Sequence, residues 1–150
     1  MPKAKSKPSS AIELLKNDHD YVKQSLRRFE KMDHEDREAV HALVQQVCKA
    51  LKAHTRLEEE IFYPAVRKAL DEEDLLNEAE IEHDSAKTLI RRLERMKPGD
   101  PKYIATFTVL GEYVKHHVKE EESEMFPKVR RRKLNLEALG KKILERKARL

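Results

Sequence analysis

Glycine, cysteine and tryptophan are scarce in this chain: its 150 residues include 3 Gly, 1 Cys and no Trp. Three glycines supply few of the tight turns that an antiparallel sandwich or barrel needs. One cysteine cannot close an internal disulfide, which sets aside a small secreted fold held by bridges. No apolar run approaches the roughly 18 residues that span a bilayer. The basic start MPKAKSKPSS is followed by no apolar stretch of signal-peptide type. These absences lead to the expectation of a cytoplasmic protein without membrane insertion.

What is present is charge and helical periodicity. Charged residues make up 40% of the chain and apolar residues 39%, for a net charge of +4. The charge is unevenly spread. Residues 1–8 carry +3, residues 128–150 carry +8, and the body between them carries −7. The ends are basic and the body is acidic, so the overall balance says little about what the body binds.

Apolar positions at helical spacing define four long segments. The first opens on Ser10-Ala11-Ile12-Glu13, the pattern of a capping box, and continues through Ile12, Leu15, Val22, Leu26 and Phe29. The second follows Asp33 and carries Val40, Leu43, Val47, Leu51, Ile61 and Ala65. The third follows the acidic link 71–74 and carries Leu76, Ala79, Ala86, Ile90 and Leu93. Lys97-Pro98-Gly99-Asp100-Pro101 reads as a stop and restart, with Asp100 as N-cap and Pro101 at the first helical position. The fourth carries Tyr103, Phe107, Leu110, Val114 and Met125, and a shorter helix starts at Asn135. The expected fold is all-α, an up-down-up-down four-helix bundle with a short C-terminal extra helix. Its expected divisions are a flexible basic tail (1–9), the bundle (10–130) and a basic C-terminal helix and tail (131–150).

Six polar residues interrupt the apolar stripes: His19, His54, Glu58, His83, His117 and Glu121. Sliding the chain against itself explains their order. At an offset of 64, DHDYVKQSLRRFEKM meets EHDSAKTLIRRLERM with seven identities in fifteen positions, His19 on His83 among them. At an offset of 63, HTRLEEEIFYP meets HVKEEESEMFP, aligning His54, Glu58, Glu59 and Pro64 with His117, Glu121, Glu122 and Pro127. The chain is a duplicated helical hairpin, and each half contributes two His and one Glu. Residues i and i+4 share a helix face, so His54/Glu58 and His117/Glu121 each present an imidazole and a carboxylate to one point. Six such groups in a core, without compensation, would cost several kcal/mol each. Four imidazoles and two carboxylates are too many for one metal with open positions and suit two; if both carboxylates bridge, each ion keeps positions for a bridging oxo or hydroxo group and for an exogenous ligand. Nitrogen and oxygen donors without thiolate favour iron, with manganese or zinc as the lesser alternatives.

This order, His19, then His54-x-x-x-Glu58, then His83, then His117-x-x-x-Glu121, resembles the hemerythrin-like, HHE cation-binding family over about residues 10–130. The resemblance implies a non-haem di-iron centre with both carboxylates bridging and chemistry with dioxygen, hydrogen peroxide or nitric oxide. The oxygen carriers of that family place a fifth His four residues after the third, where this chain has Lys87, with Lys23 at the matching place in the first half. The departure favours an open, exchangeable site suited to sensing or to catalase-like peroxide breakdown under oxidative stress. The N-terminal cysteine motif of the iron–sulfur repair branch is absent, since Cys48 lies inside the second helix. Two further readings stand beside this one. One is a non-catalytic iron-binding or iron- and oxygen-sensing bundle, and the other is a basic-tailed interaction protein whose ligands are vestigial.

The other polar residues have plainer expectations. Asp20 and Asp84 precede Lys23 and Lys87 by three residues, so each lysine is expected to pair on the helix surface, the sharper alternative being an ammonium that donates to bound peroxide. Glu59 and Glu122 fall off the core face; solvation is expected, with contact to a ligand His as the alternative. His116 points about 100° from His117 and belongs to the surface or to the surroundings of a ligand, while His34 and His41 read as surface. Pro64 and Pro127 should bend or end their helices beyond the site. The basic run 128–133 has no interleaved aromatics, so a solvated terminus is expected and no specific nucleic-acid partner. The expected partner is a small oxidant or gas, and the expected state is a monomer or weak homo-oligomer.

Overall fold

A computed structural model describes residues 10–150; the expected N-terminal tail (1–9) lies outside the described residues. The described chain is helical, with no strands among the described residues. Helix α1 runs Ala11–Lys31 and α2 runs Arg37–Leu57. A π turn, Glu58–Phe62, joins α2 directly to α3, Tyr63–Ala69. Helix α4 runs Glu73–Arg95 and α5 runs Tyr103–Glu120. A second π turn, Glu121–Met125, leads into α6, Phe126–Arg130, and α7 spans Leu136–Lys147. Helices α1, α2, α4 and α5 touch in a ring, and α7 lies against α1. No helix among the described residues is long and apolar enough to cross a membrane.

Helix starts follow their side chains where a side chain can reach. Asp36 caps α2 by accepting from the Ala39 amide at 3.3 Å, and Asn135 caps α7 through Ala138 at 3.0 Å. Two expectations fail here. The Ser10 hydroxyl makes no cap bond, so the capping box is not formed, and α1 begins on the backbone contact of Leu14 N–H with the Ser10 carbonyl. Asp100 does not cap α5. Its carboxylate accepts from Lys102 N–H at 2.8 Å, which turns the chain once more and starts the helix at Tyr103 rather than at Pro101.

The two π turns show how the prolines act. Neither Pro64 nor Pro127 ends the helix at its own position; α3 runs on to Ala69 and α6 to Arg130. A proline offers no N–H to the carbonyl four residues back, and its ring crowds that carbonyl. In both halves the helix widens just ahead of the proline, with Tyr63 N–H bonding to the Glu58 carbonyl and Phe126 N–H to the Glu121 carbonyl. Each widened turn begins at one of the two inward glutamates.

Two apolar clusters fill the interior. One holds Leu26, Phe29, Val47, Ile90, Phe107 and Leu110, and the other holds Ile12, Leu15, Leu57, Phe62, Leu76 and Val129. Burial of each such side chain contributes about 1.5–3 kcal/mol. Along the chain the six polar residues sit where each long helix, or the π turn that continues it, passes from one cluster to the other. The polar layer is therefore closed above and below by hydrocarbon. Helix α7 belongs to the lower cluster through Leu139 and Ile143, and its basic end is anchored: Lys147 meets Asp18 at 2.6 Å and Arg146 meets Glu60 at 2.9 Å. The short C-terminal helix is thus packed on the bundle, while Arg130, Arg131, Arg132 and Lys133 ahead of it are exposed.

Candidate metal centre

The structure brings all six inward residues to one place. His19 lies 3.2 Å from His54 (Nε2 to Nε2), with Glu121 Oε1 3.0 Å from His19 and Glu58 Oε1 3.2 Å from His54. His83 lies 3.2 Å from His117 in the same way, with Glu58 Oε1 3.0 Å from His83 and Glu121 Oε2 3.2 Å from His117. The two imidazole pairs face each other across the two carboxylates. Glu58 is 0% exposed, Glu121 1% and His117 12%, so the whole set is withdrawn from water.

Each imidazole is oriented by an acid behind it. His19 Nδ1 bonds Glu122 at 2.7 Å, and His83 Nδ1 bonds Glu59 at 2.7 Å. His54 Nδ1 bonds Asp18 at 3.0 Å, and His117 Nδ1 bonds Glu82 at 3.0 Å. A carboxylate only accepts, so in all four the Nδ1–H donates and the lone pair of the neutral ring lies on Nε2, aimed at the centre. The arrangement obeys the duplication: Asp18 corresponds to Glu82 and Glu59 to Glu122. Glu59 and Glu122 are therefore partners of the ligand-type histidines rather than solvated acids. Neither lysine pairs with the aspartate three residues before it among the described residues. Lys87 meets Glu59 at 2.6 Å and Lys23 meets Glu122 at 3.9 Å, so both reach the centre only through those acids.

Tyr63 was missed by the sequence reading. Its hydroxyl donates to Glu121 Oε2 at 2.6 Å and lies 3.3 Å from Glu58 Oε1, His83 Nε2 and His117 Nε2. On a regular helix a residue five places after Glu58 points about 140° away; the π turn swings it inward. Its counterpart in the repeat is Phe126, which stacks on His19 with ring centroids 5.9 Å apart, as Tyr63 stacks on His83 at 5.3 Å. The only outward clue was the pair of prolines.

The residues fit a pair of cations. Glu58 Oε2 and Glu121 Oε1 are buried without a hydrogen-bond partner among the described residues, Glu121 Oε1 being close to His19 Nε2 but outside hydrogen-bonding geometry. Two lone pairs 3.2 Å apart repel each other unless something positive lies between them. That spacing is about what two ligands near a right angle give around bonds of about 2.1 Å. Without such an ion, protons must take the positive role. Burial works against a charge on His54, yet the carboxylates of Glu58 and Asp18 outweigh it and push its pKa up to about 10. His117 is raised for the same reason, with burial opposed by Glu121, Glu58 and Glu82. Burial likewise opposes the charge on Glu58, and His54 overrides it and holds the carboxyl well below its ordinary range. The ligand-type atoms fall into two groups, His19, His54, Glu58 and Glu121, and Glu58, His83 and His117, each within 4.8 Å.

A four-helix ring with histidines and glutamates from four helices converging in a dry layer defines a helical-bundle metal-binding protein. The chain matches the hemerythrin HHE cation binding domain over residues 10–129 and belongs to that family. Its fold is similar to the crystal structure of a hemerythrin HHE cation binding domain-containing protein from Mycobacterium kansasii, with a TM-score of 0.76, 26% identity, and 93% of this chain and 86% of that one covered. It is also 29% identical over 118 residues to a DNA nickase of Nostoc sp., a match that spans 79% of this chain but only 33% of that protein.

Proposed function

We propose that the chain is a non-haem di-iron protein that binds and reacts with small oxidants, hydrogen peroxide foremost. The observation that carries this reading is a cavity of about 30 Å³ onto which all four imidazoles open, lined otherwise mainly by Val22, Leu51, Ala86, Val114 and Val118. About 10–15 Å³ holds one water, so this space suits a molecule of two to four atoms and excludes organic substrates. Two iron ions so held would supply a two-electron store between their ferrous and ferric states. One peroxide would give up two electrons and two protons and leave as dioxygen, and a second would take them up and leave as two waters.

The chain's own residues would do the rest. His19 and His54 would hold one ion and His83 and His117 the other, with Glu58 and Glu121 as the carboxylate donors lying between the two pairs. Asp18, Glu122, Glu59 and Glu82 fix each ring and raise its basicity. The Tyr63 phenol stands where it can donate a hydrogen bond to Glu121 or offer an oxygen at the second ion. The apolar walls of the cavity exclude bulk water and strengthen every charge interaction inside. The sensing reading keeps the same ions and cavity and drops turnover. Cutting of DNA, named for the Nostoc relative, is not part of this proposal: a phosphodiester cannot reach groups this buried, and the match covers a third of that protein.

Oxygen release on adding peroxide to the iron-loaded chain tests the proposal, with the His117→Ala variant inactive. No oxygen release, but a visible spectrum shifted by azide or nitric oxide, would favour the sensor. No response to any of the three would remove both.

A further inference from the structure

The two halves of the centre differ on their outer side. In the first half the outer oxygen of Asp18 is held by a cation of the protein itself, Lys147, at 2.6 Å. In the second half the matching acid, Glu82, pairs with no Lys or Arg among the described residues. Its Oε1 bonds His117 Nδ1 at 3.0 Å, while Oε2 meets the exposed His116 Nδ1 at 3.1 Å. His116 Nε2 lies 3.5 Å from Glu120 Oε1. Ligand-type atoms of Glu82, His116 and Glu120 all come within 4.8 Å of one another. The repeat serves as an internal control, since His116 and Glu120 correspond to Ala53 and Leu57, which cannot ligate.

One further observation points inward from this cluster. A cavity of about 10 Å³ is bordered both by Glu82 and Glu120 of the cluster and by His117 and Glu121 of the centre, with Leu75, Ala79 and Met125 completing its wall. Around the opening, Glu78 and Glu124 add negative charge near Glu120, which concentrates cations at the surface. The single carboxylate of Glu82 thus touches a surface imidazole with one oxygen and a buried one with the other.

We propose that Glu82, His116 and Glu120 form a capture site for a divalent cation, from which the ion passes by Glu82 and His117 into the buried centre. The proposal rests on the reading of that centre as a metal site. One set of donors hands over to the next with no step in which the ion is bare: His116 Nε2 and Glu120 first, then Glu82, then Glu121 and His117 as the imidazole swings. Lys147 keeps the other half shut, so loading is one-sided.

The test uses the metal-free full chain and Co²⁺, whose visible absorption reports its ligands. Filling of the centre is followed by stopped flow in the parent, in a His116→Ala/Glu120→Gln double variant and in Lys147→Ala. The double variant should fill at least tenfold more slowly, reach the same two ions per chain, and lose a third, weaker Co²⁺ that the parent takes up. Lys147→Ala should fill no more slowly than the parent. Equal rates in parent and double variant with the centre filled in both would overturn the capture site alone. A parent that takes up no Co²⁺ would overturn the capture site together with the metal centre.

Discussion

Replacing Glu59 by Gln should weaken one ion of the pair and spare the other. Glu59 accepts from His83 Nδ1 at 2.7 Å and is gripped from outside by Lys87 at 2.6 Å. It touches neither His19 nor His54. The amide of Gln keeps the size of the side chain but removes the charge, and it can turn an N–H toward the ring. Loss of such an orienting acid typically costs 10–100-fold in metal affinity. That factor is about 1.4–2.7 kcal/mol at the His83/His117 ion. With the ion held at a fixed concentration far above its dissociation constant, the same energy leaves the folded state. The melting temperature of the loaded chain should fall by roughly 3–10 °C for a domain of this size. Glu122→Gln should act on the His19/His54 ion in the same way, because the two acids are counterparts in the repeat. Titration with a competing chelator resolves the two constants. Equal weakening of both ions in each variant would refute the assignment of one imidazole pair to each ion, and unchanged constants would refute the orienting role.

Tyr63→Phe copies its repeat counterpart Phe126 and should bring the two binding constants closer together, while removing a hydrogen bond to a buried carboxylate worth about 1.5–3 kcal/mol; chelator titration and thermal unfolding read the two effects. The Cys48 thiol, pushed up to about 12 by burial, should react very slowly with a disulfide reagent at pH 8 until the chain unfolds; fast labelling of the native chain would contradict the packing around it. Burial raises the Asp18 carboxyl, but hydrogen bonds and charge from His54 and Lys147 outweigh it and leave it lowered. A carboxyl lowered on folding stabilises the chain above its ordinary value and loses that contribution as pH falls through the folded one. The acid limb of the metal-free chain should therefore begin below about pH 4, and Asp18→Asn should flatten it in a series of melting curves.

The fold and the inward set were legible because two independent signals coincide on the same residues. Helical spacing placed His19, His54, His83 and His117 on core faces, and the offsets of 64 and 63 placed them in matched pairs. The acids behind the rings were half legible. Glu59 and Glu122 are identical across the repeat and so attracted notice, whereas Asp18 and Glu82 differ by one methylene and were passed over, although each directly precedes a ligand-type His. Tyr63 was hidden for a geometric reason: five residues after Glu58 is the wrong face of an α-helix, and only the widening ahead of Pro64 makes it right. The C-terminal helix was legible from its start at Asn135, but its docking was not, because its charge outweighs its few apolar residues in any average. Leu139 and Ile143 nonetheless seat it, and Arg146 and Lys147 then find acids on the bundle. Ser10 and Asp100 show the limit of capping patterns, which name residues able to cap without fixing where the chain turns.

The account stands on cations filling the space among the six inward side chains, and anaerobic Fe²⁺ titration of the metal-free chain reaches that point most directly. Two tightly held ions per chain are expected, falling below two in Glu58→Ala and in His117→Ala, with the melting temperature falling alongside. A chain that holds no ion tightly, or a Glu58→Ala variant that still holds two with the parent's affinity, would contradict it.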